Sequence, residues 1–168
     1  LFGKATYAAP VNLLAFTPAL GYQIIGGTAH QLGRSVSRAG DVNGDGVPDM
    51  FITSSVTVYN GRANVGAGYV IFGQIVSNPS ARVIDTLNYV SGTRGFAIYG
   101  AADSQLGALS NVGDFNGDDI DDFIVGAVGM DFYNIGAPNG GAYLILGTEG
   151  QSGSPDIDLE GFVSGPAG

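Results

Sequence analysis

The sequence predicts an all-β fold made of β-propeller blades, about two four-stranded repeats plus the start of a third. Three observations carry this expectation: a composition that disfavours helices, an internal repeat that keeps its phase along the chain, and short apolar runs bounded by turn residues. The 168 residues suffice for one ordinary domain, and with 45% hydrophobic residues they can bury a core. Helix formers are scarce, with two Glu, one Lys and two Met, while Gly reaches 29. Val, Ile, Tyr and Phe among so many glycines favour short strands joined by tight turns. Regular apolar runs argue against a disordered Gly-rich tract.

The repeat shows in three blocks. Gln31-Leu32-Gly33 returns as Gln105-Leu106-Gly107 at a shift of 74, and Gly40-Asp41-Val42-Asn43-Gly44-Asp45 returns as Gly113-Asp114-Phe115-Asn116-Gly117-Asp118 at a shift of 73. Tyr69-Val70-Ile71-Phe72-Gly73 returns as Tyr143-Leu144-Ile145-Leu146-Gly147 at a shift of 74. Order is preserved and the drift is one residue, which is the mark of a repeat architecture. Phe2-Gly3-Lys4 matches the end of the third block, and Asp158–Gly165 resembles Asp85–Gly92. The expected organisation is therefore a first repeat with its lead-in over 1–74, a second over 75–148, and the lead-in of a following one over 149–168.

Four strands are expected in each copy, as in one propeller blade. They fall near Tyr22–Gly26, Ser35–Ala39, Met50–Thr53 and Gly68–Phe72, then near Phe96–Gly100, Ala108–Val112, Phe123–Gly126 and Ala142–Leu146. Each is rich in β-branched or aromatic residues and flanked by Gly, Asn, Asp or Ser. Ser54–Gly66 and Ala127–Gly141 read as surface loops. Two blades cannot close a ring, so the outer apolar faces and sheet edges are expected to need neighbours, as is the tail Ile157–Gly165.

The sharpest chemical signal is a pair of Asp-rich loops. Asp41-Val42-Asn43-Gly44-Asp45-Gly46-Val47-Pro48-Asp49 and Asp114-Phe115-Asn116-Gly117-Asp118-Asp119-Ile120-Asp121-Asp122 both carry side-chain oxygens at positions 1, 3, 5 and 9. A tightly wound loop turns alternate side chains onto one inner wall, and the carbonyl of position 7, Val47 or Ile120, adds a further donor. Ca²⁺ takes six to eight oxygens at about 2.3–2.6 Å, whereas Mg²⁺ rarely uses an all-protein cage. Transition metals favour His or Cys, which neither loop holds. The two nine-residue windows contain eight of the fifteen acidic residues, which repel one another without a cation. The plainer alternative is a pair of solvated turns, since Asp, Asn and Gly are ordinary turn residues. Two such loops in phase, each followed by a strand, favour metal. The metal-site residues are thus Asp41, Asn43, Asp45, Val47 and Asp49, then Asp114, Asn116, Asp118, Ile120 and Asp122, with one Ca²⁺ per loop. Asp119 stands where the first loop has Gly46, and Asp tolerates the positive φ expected there. An EF-hand is excluded because its closing Glu at position 12 is replaced by Ile52 and Val125 in apolar runs.

Leu32-Gly33, the Asp-rich loop, an apolar strand and a closing Tyr-Val-Ile-Phe-Gly together resemble the FG-GAP repeats of integrin α-subunit β-propellers, and still more the bacterial integrin-like surface proteins built from that repeat. The resemblance covers essentially the whole chain. It departs at Leu32-Gly33 and Leu106-Gly107, which stand for the "FG", and at Thr53-Ser54-Ser55 and Gly126-Ala127-Val128, which stand for the "GAP". It implies the propeller fold and calcium ligation by Asp41, Asn43, Asp45, Asp49, Asp114, Asn116, Asp118 and Asp122; integrin ligand binding depends on variable loops and a partner subunit that have no match here.

Other chemistry is disfavoured. The net charge is −9 and the six basic residues, Lys4, Arg34, Arg38, Arg62, Arg82 and Arg94, are scattered, which argues against nucleic acid. No apolar run approaches a membrane span. There is no Cys, hence no disulfide framework and no thiolate site. His30, the one histidine, has Ser35 and Ser37 nearby but no nucleophile-elbow motif. A glycosidase carboxylate pair lacks candidates once the loops are committed to calcium, since Glu149 and Glu160 lie in a Gly/Ser-rich segment. Gly136–Gly141 lacks the Gly-Lys-Ser/Thr of a phosphate loop. Tyr59 and Tyr133 are the candidate exposed aromatics. Beginning at Leu1 with no secretory leader, the chain reads as a mature product or an internal fragment. The expected function is a non-catalytic, calcium-binding, extracellular or cell-surface module for adhesion or assembly. Its expected partners are other blades of a longer chain, copies of itself, or an extracellular protein or glycan. The alternative is an accessory propeller within a secreted hydrolase or carbohydrate-binding protein.

Overall fold

The computed structural model describes residues 13, 21–28, 30–74, 83–86, 94–131, 136–150 and 155–162. The architecture is all-β. Among the described residues ten strands follow in order: β1 (Gln23–Ile25), β2 (Leu32–Gly40), β3 (Asp49–Ser54), β4 (Ala67–Ile71), β5 (Val83–Asp85), β6 (Gly95–Tyr99), β7 (Leu106–Gly113), β8 (Asp122–Ala127), β9 (Gly141–Ile145) and β10 (Ile157–Asp158), with a 3₁₀ turn over Leu159–Phe162. No helix among the described residues is long and apolar enough to cross a membrane.

The strands form a two-stranded sheet β1-β5, a five-stranded sheet in the order β10-β6-β4-β3-β2, and a three-stranded sheet β7-β8-β9. The repeat is visible in the register. Leu32 faces Ser54 and Val36 faces Ile52, as Leu106 faces Ala127 and Leu109 faces Val125. Met50 faces Ile71, as Phe123 faces Ile145. Even the irregularities recur, one near the start of β2 and of β7 and one just before Gly40 and Gly113. The parallel pairs repeat as well, with Ile24 beside Ile84 in one and Ile98 beside Ile157 in the other.

Two expectations need correction. The first strand of each copy does not join that copy's other three. β6 runs antiparallel along β4, closing the first copy's sheet on its outer side, while β1 lies apart from β2 and pairs with β5. A tight connection is not needed here, because β6 reaches β7 through the turn at Ala101–Gln105, which lets the chain step from one sheet to the next. The second correction concerns the tail. Its described part needs no partner beyond the chain, since β10 adds to β6 and Arg62 holds the following turn.

Apolar runs on consecutive positions are explained by burial on both faces. Phe51, Val70 and Phe96 point to one side and meet Phe123, Val125, Leu106 and Leu109 of the second copy. Phe123 lies 5.0 Å from Phe51 and 6.3 Å from Phe96, ring centre to ring centre. On the other side Ile52, Tyr69, Ile71 and Ala97 pack against Ile24 and Ile84 of the β1-β5 pair. Polar bonds tie the two copies at the same junction: Ser37 Oγ donates to the Leu109 carbonyl (3.1 Å), and Thr53 Oγ1 to that of Gly107 (3.0 Å). Asn111 Nδ2 donates to the Ala39 carbonyl. Gly40, at φ 87°, sits so close to Asn111 and Asp121 that a Cβ there would collide with both.

Phe123 is the ring on which both copies converge. Phe123→Ala is therefore expected to cost about 3–5 kcal/mol in a urea melt, while Val128→Ala, at an exposed position, stays within about 0.5 kcal/mol. Equal effects of the two changes would contradict this account of the core.

Candidate metal loops

Each Asp-rich loop joins two antiparallel strands, β2 to β3 and β7 to β8, and winds on its own side chains. In the first loop the Asp45 N–H is shared between Asp41 Oδ1 (3.0 Å) and Asn43 Oδ1 (3.2 Å). Asp41 Oδ2 accepts from Gly46 N–H at 2.7 Å, and Asp45 Oδ1 from Val47 N–H at 2.8 Å. The second loop repeats these bonds. Asp118 N–H is shared between Asp114 Oδ1 (3.0 Å) and Asn116 Oδ1 (3.1 Å), Asp114 Oδ2 accepts from Asp119 N–H (2.9 Å), and Asp118 Oδ1 from Ile120 N–H (3.0 Å). Asn43 and Asn116 each donate through Nδ2 to Asp45 and Asp118, at 3.0 and 2.9 Å. The two loops reach this winding through different residues, Gly46 at φ 81° and Asp119 at φ 69°. The positive φ expected of Asp119 is present.

The ninth position behaves differently from the others. Asp49 and Asp122 are buried, and both oxygens of each accept backbone N–H bonds. Asp49 Oδ2 takes Val42 N–H (3.0 Å) and Oδ1 takes Gly73 N–H (2.7 Å). Asp122 Oδ2 takes Phe115 N–H (2.8 Å) and Asn116 N–H (3.3 Å), and Oδ1 takes Gly147 N–H (2.8 Å). These carboxylates clamp the start of each loop to the end of β4 or β9. A carboxylate oxygen has two acceptor sites, so one lone pair remains on Asp49 Oδ1 and Oδ2.

The loops touch each other. Asp41 N–H donates to Asp121 Oδ2 (2.9 Å), and Asp121 N–H donates to the Asp41 carbonyl (3.1 Å). The first loop is further held by the Thr148 and Gly150 N–H groups, which donate to the Val42 and Asn43 carbonyls at 3.1 and 3.0 Å. Thus the ten residues singled out in the sequence fall in two neighbouring segments, five in each, with Val47 and Ile120 at the seventh place and Asp49 and Asp122 opening β3 and β8. Among the described residues no three His, Cys, Asp or Glu side chains gather as a ready-made metal cluster. A cation in these loops would have to draw on the amide oxygens of Asn43 and Asn116 and on carbonyls as well, and that all-oxygen set is the kind that suits a hard ion.

The electrostatics fit such an ion. Burial pushes the Asp49 carboxyl from 3.8 up to about 6, opposed by the Gly73 and Val42 N–H bonds and assisted by repulsion from Asp45 and Asp41. The exposed Asp114 carboxyl lies below its usual range, chiefly through the Asp119 N–H bond and also through those of Gly117 and Asp118. Repulsion from Asp45 and Asp41 thus reaches Asp49, and a divalent cation in the loop would relieve it.

Other candidates are placed as follows. His30 has its Nδ1 buried without a hydrogen bond, and its carbonyl accepts from Ser54 Oγ. Ser37 Oγ is engaged with Leu109, and Ser35 meets Thr53 through its backbone N–H. Tyr59 is half-buried and stacks on Tyr99 at 3.6 Å, with the Arg62 guanidinium 5.5 Å from its ring centre, so one face of this aromatic is covered. Tyr133 lies outside the described residues. Sequence reading missed Arg62, which donates to both oxygens of Asp158 (2.8 and 2.7 Å) and to Glu160 (2.7 Å). Its partners lie 96 and 98 residues away, beyond any local pattern.

A pH dependence follows. A carboxyl whose folded pKa is raised contributes most to stability below its ordinary value, and that contribution is lost as pH rises through the folded value. For Asp49 the window runs from about pH 4 to about pH 6. Asp114 acts oppositely: its contribution is present above its ordinary value of 3.8 and fades only below it. In metal-free buffer the urea midpoint is expected to fall between about pH 4.5 and about pH 7, and saturating calcium is expected to remove that fall. A metal-free midpoint that rises over this window would contradict the reading of Asp49.

Comparison with protein-family models and with curated proteins finds no match to this chain, so the reading of its function rests on the chemistry of these loops.

Proposed function

We propose that this chain is a calcium-binding, non-catalytic module of propeller blades that serves adhesion or assembly outside the cell or at its surface. The observation that carries the reading is the duplicated loop. Two nine-residue segments of different sequence wind through the same set of bonds, and both present oxygen donors only. An ordinary turn has no need of five acidic residues, as the second loop has, nor of a buried carboxylate at its ninth position. Asp41, Asn43, Asp45, the Val47 carbonyl and Asp49 would hold one ion, and Asp114, Asn116, Asp118, the Ile120 carbonyl and Asp122 the other. Bound calcium supplies positive charge among these carboxylates and fixes the loops. The resemblance to FG-GAP repeats supports the same assignment.

An extracellular setting would suit this role. Calcium modules outside cells function with dissociation constants of about 10⁻⁴–10⁻³ M, where the ion is abundant. The net charge of −9 leaves a surface unsuited to nucleic acid and suited to cations.

A ligand that binds the native state alone stabilises it by about 2.7 kcal/mol at a hundredfold excess over Kd. Calcium is expected to raise the melting temperature, and a chelator to lower it. Asp45→Ala and Asp118→Ala are each expected to remove one of two bound ions and part of the stabilisation, as read by calorimetric titration beside thermal melts. Zinc in preference to calcium, or a melting curve that calcium leaves unchanged, would refute the proposal.

A further inference from the structure

The second sheet displays to solvent the face that the first sheet buries. Within the chain, the first sheet's Phe51, Val70, Phe72 and Val42 are covered by the second copy. Their counterparts one repeat later are uncovered. Leu144 is 40% exposed where Val70 is fully buried, Leu146 is 46% exposed where Phe72 is 6%, and Phe115 is 68% exposed where Val42 is fully buried. Ile124 and Val112 lie open on the same sheet. The opposite face of the first sheet is covered by β1 and β5 over Ile52, Tyr69, Ile71 and Ala97, and is open in a complementary way beside them. Val36 is 67% exposed where its counterpart Leu109 is 5%, and Met50 is 40% exposed where Phe123 is 1%. Exposed apolar patches of this extent mark interaction surfaces.

The strand edges match in the same manner. β4 carries β6 on its outer side, with Ala67 opposite Tyr99 and Gly68 opposite Ile98. β9, the counterpart of β4, ends its sheet among the described residues. β1 is the counterpart of β6: Gln23-Ile24-Ile25-Gly26 aligns with Ala97-Ile98-Tyr99-Gly100 at a shift of 74. It has the same parallel partner on one side, β5 in place of β10, and belongs to no larger sheet among the described residues. Among the described residues β9 is thus uncapped, and β1 is the strand type that caps it.

We propose that this face and edge bind a second copy of the chain, whose β1 adds antiparallel to β9. The register transfers from β4-β6, placing Ile25 of one copy opposite Gly141 of the other and Ile24 opposite Ala142. The β2-β3-β4 face of the second copy, with Val36 and Met50, then covers Ile124, Leu144 and Phe115. Such a contact is head-to-tail, so it propagates into a ring or a filament. It is weaker than the junction inside the chain. Pro48 stands at the place of Asp121 and has neither the N–H nor the carboxylate that hold Asp41, so association depends on concentration. This deepens the assembly part of the function proposed above and is independent of the metal, because its test reads association and not ion binding.

The absence of cysteine makes the test direct. One protein carries Ile25→Cys and another Gly141→Cys, with tags of different size. Residues directly opposite in an antiparallel pair have Cβ atoms about 4.5–5.5 Å apart, near enough for a disulfide after small adjustment. The mixed pair is expected to cross-link on mild oxidation. Ile25→Cys with Ile145→Cys, four residues further along β9, is expected not to. Light scattering of the unmodified chain is expected to show mass rising with concentration, and Leu144→Asp, at an exposed position, to weaken that association by about tenfold or more with unchanged circular dichroism. A monomer at every concentration with no cross-link would overturn the proposal. Equal cross-linking of the displaced pair would overturn the register.

Discussion

Each copy of the repeat is organised by one buried carboxylate. Asp49 ties the second residue of its loop to the backbone just past β4, and Asp122 ties its own loop to the backbone just past β9. A single side chain thus fixes a loop, the strand it begins and the neighbouring strand. The loop cannot unwind without leaving a buried carboxylate short of partners, which costs more than an exposed bond does. That arrangement has an electrostatic cost of its own. Asp49 sits out of water among Asp41 and Asp45, and its carboxyl is pushed up to about 6. A cation in the loop would offset the repulsion, and that would couple ion binding to strand geometry.

From that constraint the layering follows. Because both loops are pinned in the same way, the strands they join pair in the same register, and the two copies stack as translated versions of one unit. The stack has direction. One face of the first sheet fits the second copy, and the rings of Phe51, Phe96 and Phe123 converge there. Stacked repeats bury a continuous core only where they have a neighbour, so the outermost faces differ from the inner ones in exposure although they have the same pattern.

Much of this was legible in the sequence. Phase in the repeat located eight strands, since turn residues bracket each apolar run. The place and winding of the two loops were legible because Asp, Asn and Gly at alternate positions are visible in one dimension, and so was the positive φ at Asp119, where its counterpart is Gly46. Sheet membership was not. A repeat shows how strands follow one another and not which neighbour each one joins, and β6 joins the preceding sheet with no change in the period. β5 and β10, of three and two residues, were not among the strands read from the sequence. The bonds that Arg62 makes to Asp158 and Glu160 escaped because they close a long stretch of chain. The ninth-position carboxylates were read as metal donors alone, and their bonds to Gly73 and Gly147 depend on where β4 and β9 return.

The most direct measurement is a crystal structure grown in calcium, with anomalous scattering to identify the ion. The account predicts one calcium in each loop, at about 2.3–2.6 Å from the side-chain oxygens of positions 1, 3, 5 and 9 and from the carbonyl of Val47 or Ile120. Loops that keep the same backbone winding around water alone, at saturating calcium, would contradict it.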